Sequence, residues 1–235
     1  MTQATQASEI QALFDRIAPV YDQLNGWLSL GQHRIWKEMT VKWSQAKTGD
    51  TCLDVCCGSG DLAQMLARQV VPTGQVFGVD FSSAQLAIAR QRVESSFQAL
   101  PITWVEGDAL NLPFPDNQFD AVTMGYGLRN VTNIVHSLQE LHRVLKPGAK
   151  AAILDLHRPN QAVVRAFQQW YLETIVVPVA QQFGLTEEYA YISSSLEKFP
   201  AGAEQITLAH QAGFVQAVHY PIAAGTMGVL VITKS

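Results

Sequence analysis

Thr51-Cys52-Leu-Asp54-Val-Cys56-Cys57-Gly58-Ser59-Gly60-Asp61-Leu-Ala63 is the stretch on which the fold turns. A short run rich in apolar residues ends near an acid, passes through two glycines and restarts as an amphipathic segment. This reads as a strand, a tight loop and a helix, and the loop satisfies the G-x-G-x-x-G/A pattern. Asp80 stands twenty positions beyond Gly60, where an acid closing the second strand would meet a ribose. The glycine pattern alone admits a dinucleotide. Asp54 and Asp61, however, bracket the loop with two carboxylates that would repel a pyrophosphate at the helix N-terminus.

A ligand with an ammonium, a sulfonium and a ribose, but no phosphate, suits those acids, and S-adenosylmethionine is such a ligand. Asp54, Gly58, Ser59 and Gly60 are then expected to hold its amino-acid end. Asp80 should accept from both ribose hydroxyls, with Phe81 beside it. Glu106-Gly-Asp108-Ala109 closes a third strand, where the Asp108 carboxylate can accept from the adenine amine. The following Leu112-Pro-Phe-Pro-Asp116-Asn-Gln-Phe119-Asp120 has the prolines and Asp-Asn turn of a connection lying over the adenine edge.

Outward from the loop, short apolar runs alternate with amphipathic ones. Strands are expected at Thr51–Cys56, Gln75–Asp80, Ile102–Gly107, Phe119–Gly127 and Ala149–Leu156, and helices at Asp61–Val70, Ser83–Phe97 and Ile134–Leu145. This rhythm predicts an α/β fold, a parallel sheet with helices on both faces. It breaks near the end, where a helix over Glu204–Gln211 precedes two strands within Phe214–Lys234, which reads as a hairpin. Ile10–Trp43 reads as helical, with Phe14, Ile17, Trp27, Leu28, Leu30, Ile35 and Trp36 as apolar contacts and breaks at Gly26 and Gly31. Ala162–Phe183 is unusually apolar and interrupted by Pro178; it could line a channel for a lipid tail, rest on a membrane surface or simply pack.

At 235 residues, with 48% hydrophobic and 15% charged, the chain is sized for one domain. The net charge of −4 and scattered Lys and Arg speak against nucleic acid as a partner. The first ten residues lack the pattern of a signal peptide, and no apolar stretch approaches the roughly 18 residues of a membrane span. A cytoplasmic protein is expected, in weak peripheral contact with a membrane if its substrate is a lipid. All three cysteines, Cys52, Cys56 and Cys57, fall in one segment and read as buried reduced thiols of a strand, with no second ligand cluster for a metal.

Tyr21-Asp22-Gln-Leu24-Asn25-Gly26-Trp-Leu-Ser29-Leu-Gly31-Gln-His33-Arg-Ile-Trp36 and Arg143-Val-Leu-Lys146-Pro147-Gly148, leading to Asp155, carry a further signal. With the Leu112–Asp120 segment and Gly127-Leu-Arg129-Asn130-Val131, they resemble the ubiquinone/menaquinone biosynthesis C-methyltransferases over nearly the whole chain. The resemblance implies a class I S-adenosylmethionine methyltransferase, a Rossmann-like α/β fold. Its sheet would be mostly parallel and seven-stranded, with an antiparallel C-terminal hairpin and an N-terminal helical lid. The family's donor-binding positions fall on Ser59, Asp80, Asp108, Ala109 and Gly125, and no metal is implied. Departures from the family pattern occur at Leu24, where a Met is usual, at Ala149, where a Gly is usual, and at Asp155-Leu-His157, where a Glu followed by a Ser is more typical. Tyr189–Ser193, Phe199–Gly202 and Gly225–Lys234 are most similar to the cyanobacterial and plastid branch that methylates demethylphylloquinol, ahead of the menaquinone and ubiquinone branches.

The acceptor implied is a prenylated quinol, because a quinone carbon is electrophilic and only the reduced ring can take a methyl cation equivalent. Acceptor-side candidates form two groups: Arg129 and Asn130, which could hold a phenolate oxygen, and Tyr21, Asp22, Asn25 and His33 on the N-terminal segment. Arg129 is a poor direct base, its pKa exceeding about 12. His33 titrates in a suitable range, yet beside Arg34 and Trp36 it reads equally as a packing residue. The expected organisation is a single methyltransferase domain over 1–235: lid 1–45, donor-binding core 46–160, substrate and tail insertion 161–203, and closing helix and hairpin 204–235. A homodimer is compatible with the sequence. A non-catalytic donor-binding scaffold of a quinone-synthesis complex and an NAD-dependent oxidoreductase remain as competing classes.

Overall fold

The structure is a computed structural model that describes residues 10–12, 15–16, 31–96, 99–182 and 186–235, the side chains at 179–180, 182, 186–190 and 193 excepted. Tyr21, Asp22, Leu24 and Asn25 lie outside the described residues.

In chain order the elements are α1 (Gln32–Ser44), β1 (Thr51–Val55), α2 (Asp61–Val70), β2 (Gln75–Asp80), α3 (Ser83–Glu94), β3 (Ile102–Glu106), β4 (Phe119–Gly125), α4 (Ile134–Val144) and β5 (Leu145–Leu156). There follow α5 (Ala162–Tyr171), α6 (Val177–Gln182), α7 (Thr186–Lys198), α8 (Gly202–Gln211), β6 (Gln216–Ile222) and β7 (Met227–Thr233). The seven strands form one sheet in the order β3-β2-β1-β4-β5-β7-β6, with β7 antiparallel to both of its neighbours. The expected architecture is present, with one refinement. The hairpin does not simply close the edge: its second strand inserts between β5 and β6.

β1 and β4 sit at the centre, buried on both faces, so they read as near-continuous apolar runs. One face packs Leu53, Val55, Val122 and Met124 against Leu138 and Leu141 of α4. There Phe77, Phe114 and Phe119 meet edge to face, with centroids 5.1–5.8 Å apart. The other face packs Cys52, Val76 and Ala121 against Leu62, Leu66 and Val70 of α2 and Val41 of α1. Each fully buried aliphatic side chain contributes about 1.5–3 kcal/mol. α1 turns Lys37, Thr40, Val41 and Ser44 inward, the i, i+3, i+4, i+7 spacing of a helix face.

The apolar segment from Ala162 stays helical past Pro178, but a π-turn over Leu172–Val176 joins α5 to α6 just before it. Inside a continuing helix a proline removes one backbone donor and crowds the preceding turn, and the widened turn accommodates both. α5 buries none of its residues, and Val163, Phe167 and Trp170 project from it, 82%, 59% and 51% exposed. Among the described residues no helix is long and apolar enough to cross a membrane.

Beneath the hairpin, His157 is buried with its Nε2 2.8 Å from His219 Nε2 and 2.8 Å from Gln205 Nε2. This cluster ties the end of β5 to α8 and β6.

Candidate active site

The carboxyl ends of β1, β2 and β4 and the loop after β3 converge on one cavity of about 460 Å³. That is where open α/β sheets bind ligands, and the volume lies within the roughly 300–1,000 Å³ of small-molecule sites. Of the residues singled out in the sequence, Asp54, Gly58, Ser59, Asp80, Phe81, Asp108, Ala109, Gly125 and Asn130 line it. Three other candidates do not. Gly60 caps the N-terminus of α2 at φ +86°, and a Cβ there would fall 2.4 Å from the Trp104 ring, so only glycine lets the loop close. His33, on the first turn of α1, and Arg129 also lie outside the lining.

Asp54, the penultimate residue of β1, has its side chain wholly buried, and Oδ1 accepts from Thr123 Oγ on β4 at 2.7 Å. Its Oδ2 has no well-aligned partner among the described residues. Burial pushes this carboxyl up to about 7, against the lowering influence of Thr123, the Ala63 backbone and Lys37. Asp80 ends β2 and organises the loop: Gly58 N–H donates to its Oδ2 at 2.8 Å and Ser82 N–H to its Oδ1 at 2.9 Å. Burial raises it to about 6, and those backbone donors restrain the rise. Asp108 accepts from the Leu110 N–H at 2.9 Å and forms a bridge with Asn111, which folds the turn below the cavity.

The N-terminal segment reaches the same place. Gln11 lines the cavity and donates to the Phe81 carbonyl at 2.7 Å, and Ser82 Oγ donates to Asp15. From α1, Lys37 enters the lining and donates to Asp61 Oδ2 at 2.6 Å. Arg92 of α3 grips the other Asp61 oxygen at 2.7 Å, and the Ser59 carbonyl and hydroxyl at 3.0 and 2.9 Å. Burial alone would raise the Asp61 carboxyl, but Lys37 and Arg92 outweigh it and bring it down to about 2.

After β4 the chain turns sharply. Tyr126 adopts φ +60° and Cys56 φ +53°, and a Cβ on Gly127 would lie 2.6 Å from Cys56 Cβ. The two loops therefore touch at bare backbone. Cys52 lies in β1, but Cys56 and Cys57 are in the loop rather than the strand, and both line the cavity. Burial and the Asp80 and Asp54 carboxylates push both thiols up, so they stay protonated and weakly reactive.

Asn130 donates to the Tyr126 carbonyl at 2.8 Å, and its buried Oδ1 has no partner among the described residues. Arg129 is engaged elsewhere. It donates to Asp155 Oδ1 at 2.5 Å and to the Tyr126 carbonyl at 2.9 Å, and its backbone N–H reaches Asp155 Oδ2 at 3.1 Å. The pair is buried, with side chains 7% and 1% exposed. Lys37, Gln11, Gln85 and Tyr126 line the cavity without having been singled out from the sequence. For Lys37 a signal existed: a lysine at the inward spacing of a helix face otherwise made of the small residues Thr40, Val41 and Ser44.

The model of the ubiE/COQ5 methyltransferase family matches residues 1–234. A 2-phytyl-1,4-naphtoquinone methyltransferase of Trichormus variabilis is 67% identical over 227 residues, 97% of this chain and 99% of that one. A chloroplastic 2-phytyl-1,4-beta-naphthoquinone methyltransferase of Arabidopsis thaliana is 53% identical over 230 residues, 97% of this chain and 88% of that one. Among solved structures, a SAM-dependent methyltransferase from Aquifex aeolicus superposes with a TM-score of 0.65 at 18% identity, covering 91% of this chain and 98% of that one, which speaks to the fold. The chain belongs to the ubiE/COQ5 methyltransferase family and is an S-adenosylmethionine-dependent methyltransferase.

Proposed function

We propose that this protein methylates a ring carbon of reduced 2-phytyl-1,4-naphthoquinone, converting demethylphylloquinol to phylloquinol. The observation that carries the acceptor is identity of 67% with a relative of that name over 97% of the chain. The donor end rests on the cavity. The buried Asp54 oxygen without a well-aligned partner among the described residues suits an ammonium, and four acids line a space with room for a nucleoside that carries no phosphate. When bound, S-adenosylmethionine supplies an electrophilic methyl group.

This chain's residues then have three tasks. Asp80 and Asp108 hold the ribose and adenine, with Phe81, Ala109 and Gly125 shaping the walls and the Gly58–Gly60 loop, with Ser59, approaching the amino-acid end. Asn130 offers an unpartnered amide oxygen to a quinol hydroxyl. Arg129, paired with Asp155 and donating to the Tyr126 carbonyl, holds the turn that presents Asn130. Tyr21, Asp22, Asn25 and His33 of the N-terminal segment 1–45 are the further acceptor-side candidates, and the contact of Gln11 with Phe81 supports a role of that segment at the donor loop. The segment 161–203 takes the phytyl tail; the exposed Val163, Phe167 and Trp170 support a weak contact of this segment with a lipid surface.

The test is methyl transfer from radiolabelled S-adenosylmethionine to 2-phytyl-1,4-naphthoquinone, demethylmenaquinone and a ubiquinone precursor, each with and without dithionite. Product from the reduced phytyl naphthoquinol above the others is expected. Product from another quinol alone would move the acceptor within the family. Intact donor binding with no product from any would favour a non-catalytic scaffold.

A further inference from the structure

The methionine end of S-adenosylmethionine is a zwitterion, and an acid-lined cavity answers only its ammonium. Among the described residues lining the cavity, the carboxylates are Asp54, Asp61, Asp80 and Asp108, and Lys37 is the sole cation. Lys37 is 6% exposed, its Nζ 2.6 Å from Asp61 Oδ2 and 5.8 Å from the centre of the Tyr126 ring. An ammonium has three donors, and the Asp61 bond uses one. Asp61 also receives Arg92, so Lys37, Asp61 and Arg92 together carry one net positive charge beside the glycine loop. Asp61 alone would leave that end of the cavity repelling a carboxylate. With both cations in place, it attracts one.

We propose that Lys37 binds the carboxylate of the donor's methionine end, with Asp61 fixing its position, so that α1 is fastened to the donor as well as to the sheet. The inference rests on S-adenosylmethionine as donor and is independent of which quinol is methylated. A purely architectural Lys37, anchoring α1 to α2 through Asp61, makes a different demand. Losing an anchor weakens every ligand of the cavity alike; losing a carboxylate partner weakens only ligands that carry the carboxylate.

The experiment is calorimetric titration of wild type, Lys37→Met and Lys37→Arg with S-adenosylhomocysteine and with its decarboxylated analogue S-adenosyl-3-thiopropylamine. Wild type should prefer S-adenosylhomocysteine by about tenfold or more, as a desolvated charge pair implies. Lys37→Met should lose that preference while binding the decarboxylated analogue within about twofold of wild type, and Lys37→Arg should keep most of it. Equal weakening of both ligands in Lys37→Met, or equal affinity of wild type for the two, would overturn the proposal. The wild-type comparison needs no variant to fold, and no quinol enters the assay, so its failure is separate from failure of the naphthoquinol reading.

Discussion

Asp54 shows how one buried atom couples binding to stability. Its folded value of about 7 lies above the ordinary 3.8, so between those values the native chain holds a proton that the unfolded chain releases. The contribution of Asp54 to stability therefore falls as pH rises from about 4 to 7, and stays reduced above. Asp54→Asn copies the protonated form and keeps an acceptor for Thr123. It should be at least as stable as wild type at pH 8 in thermal melts, yet bind S-adenosylhomocysteine about tenfold or more weakly. The Arg129–Asp155 pair calls for the opposite outcome. Asp155→Ala strands a buried guanidinium and should cost about 3–5 kcal/mol in urea denaturation, with lost stability preceding any effect on chemistry. Asp54, Asp80 and Asp108 were readable from the sequence because each stands at a strand end, where position follows from spacing. Arg129 was readable as a residue of the site but not in its posture, since the carboxylate that holds it lies on β5, 26 positions away.

Between β1 and β4 the two loops meet at backbone distance, and this sets a prediction for the pair of elements. Gly127→Ala would push against Cys56, whose own φ of +53° suits a glycine. The single variant should bind donor several-fold more weakly in calorimetry, and Gly127→Ala/Cys56→Gly should recover most of the loss. Additive effects in that double-mutant cycle would show that the contact is not what limits the loop. The same scale explains which elements were legible. Periodicity located β1 to β4 and α2 to α4 to within a few residues. It could not show that Leu172–Val176 widens into a π-turn, because a helix with a bulge keeps its apolar pattern. Nor could alternation reveal that β7 rather than β6 joins β5, since both strands of the hairpin read alike.

Over the whole molecule, the buried Asp54 and the half-buried His219 oppose one another in acid. Burial lowers His219 to about 4, and His157 beside it adds to the effect, so here the unfolded chain holds the extra proton. That contribution to stability is present above pH 6.5 and is lost as pH falls toward 4, opposite in sign to Asp54. Asp80, raised to about 6, slopes the same way as Asp54, so the variants are compared with wild type rather than with zero. Between pH 4.5 and 6.5 the change in urea midpoint with rising pH should be more positive than wild type in Asp54→Asn and more negative in His219→Gln. Matching slopes in all three proteins would contradict the assignment. The histidine cluster was invisible in the sequence, its two rings lying 62 positions apart and meeting only when the hairpin docks.

The insertion of β7 between β5 and β6 also has a consequence during biosynthesis. β5 ends at Leu156, and its partner begins at Met227, about 70 residues later. At about 5–20 residues per second, the ribosome needs roughly 4–14 s to deliver that partner. For that interval the nascent chain carries a bare, apolar strand edge of the kind that pairs with other chains.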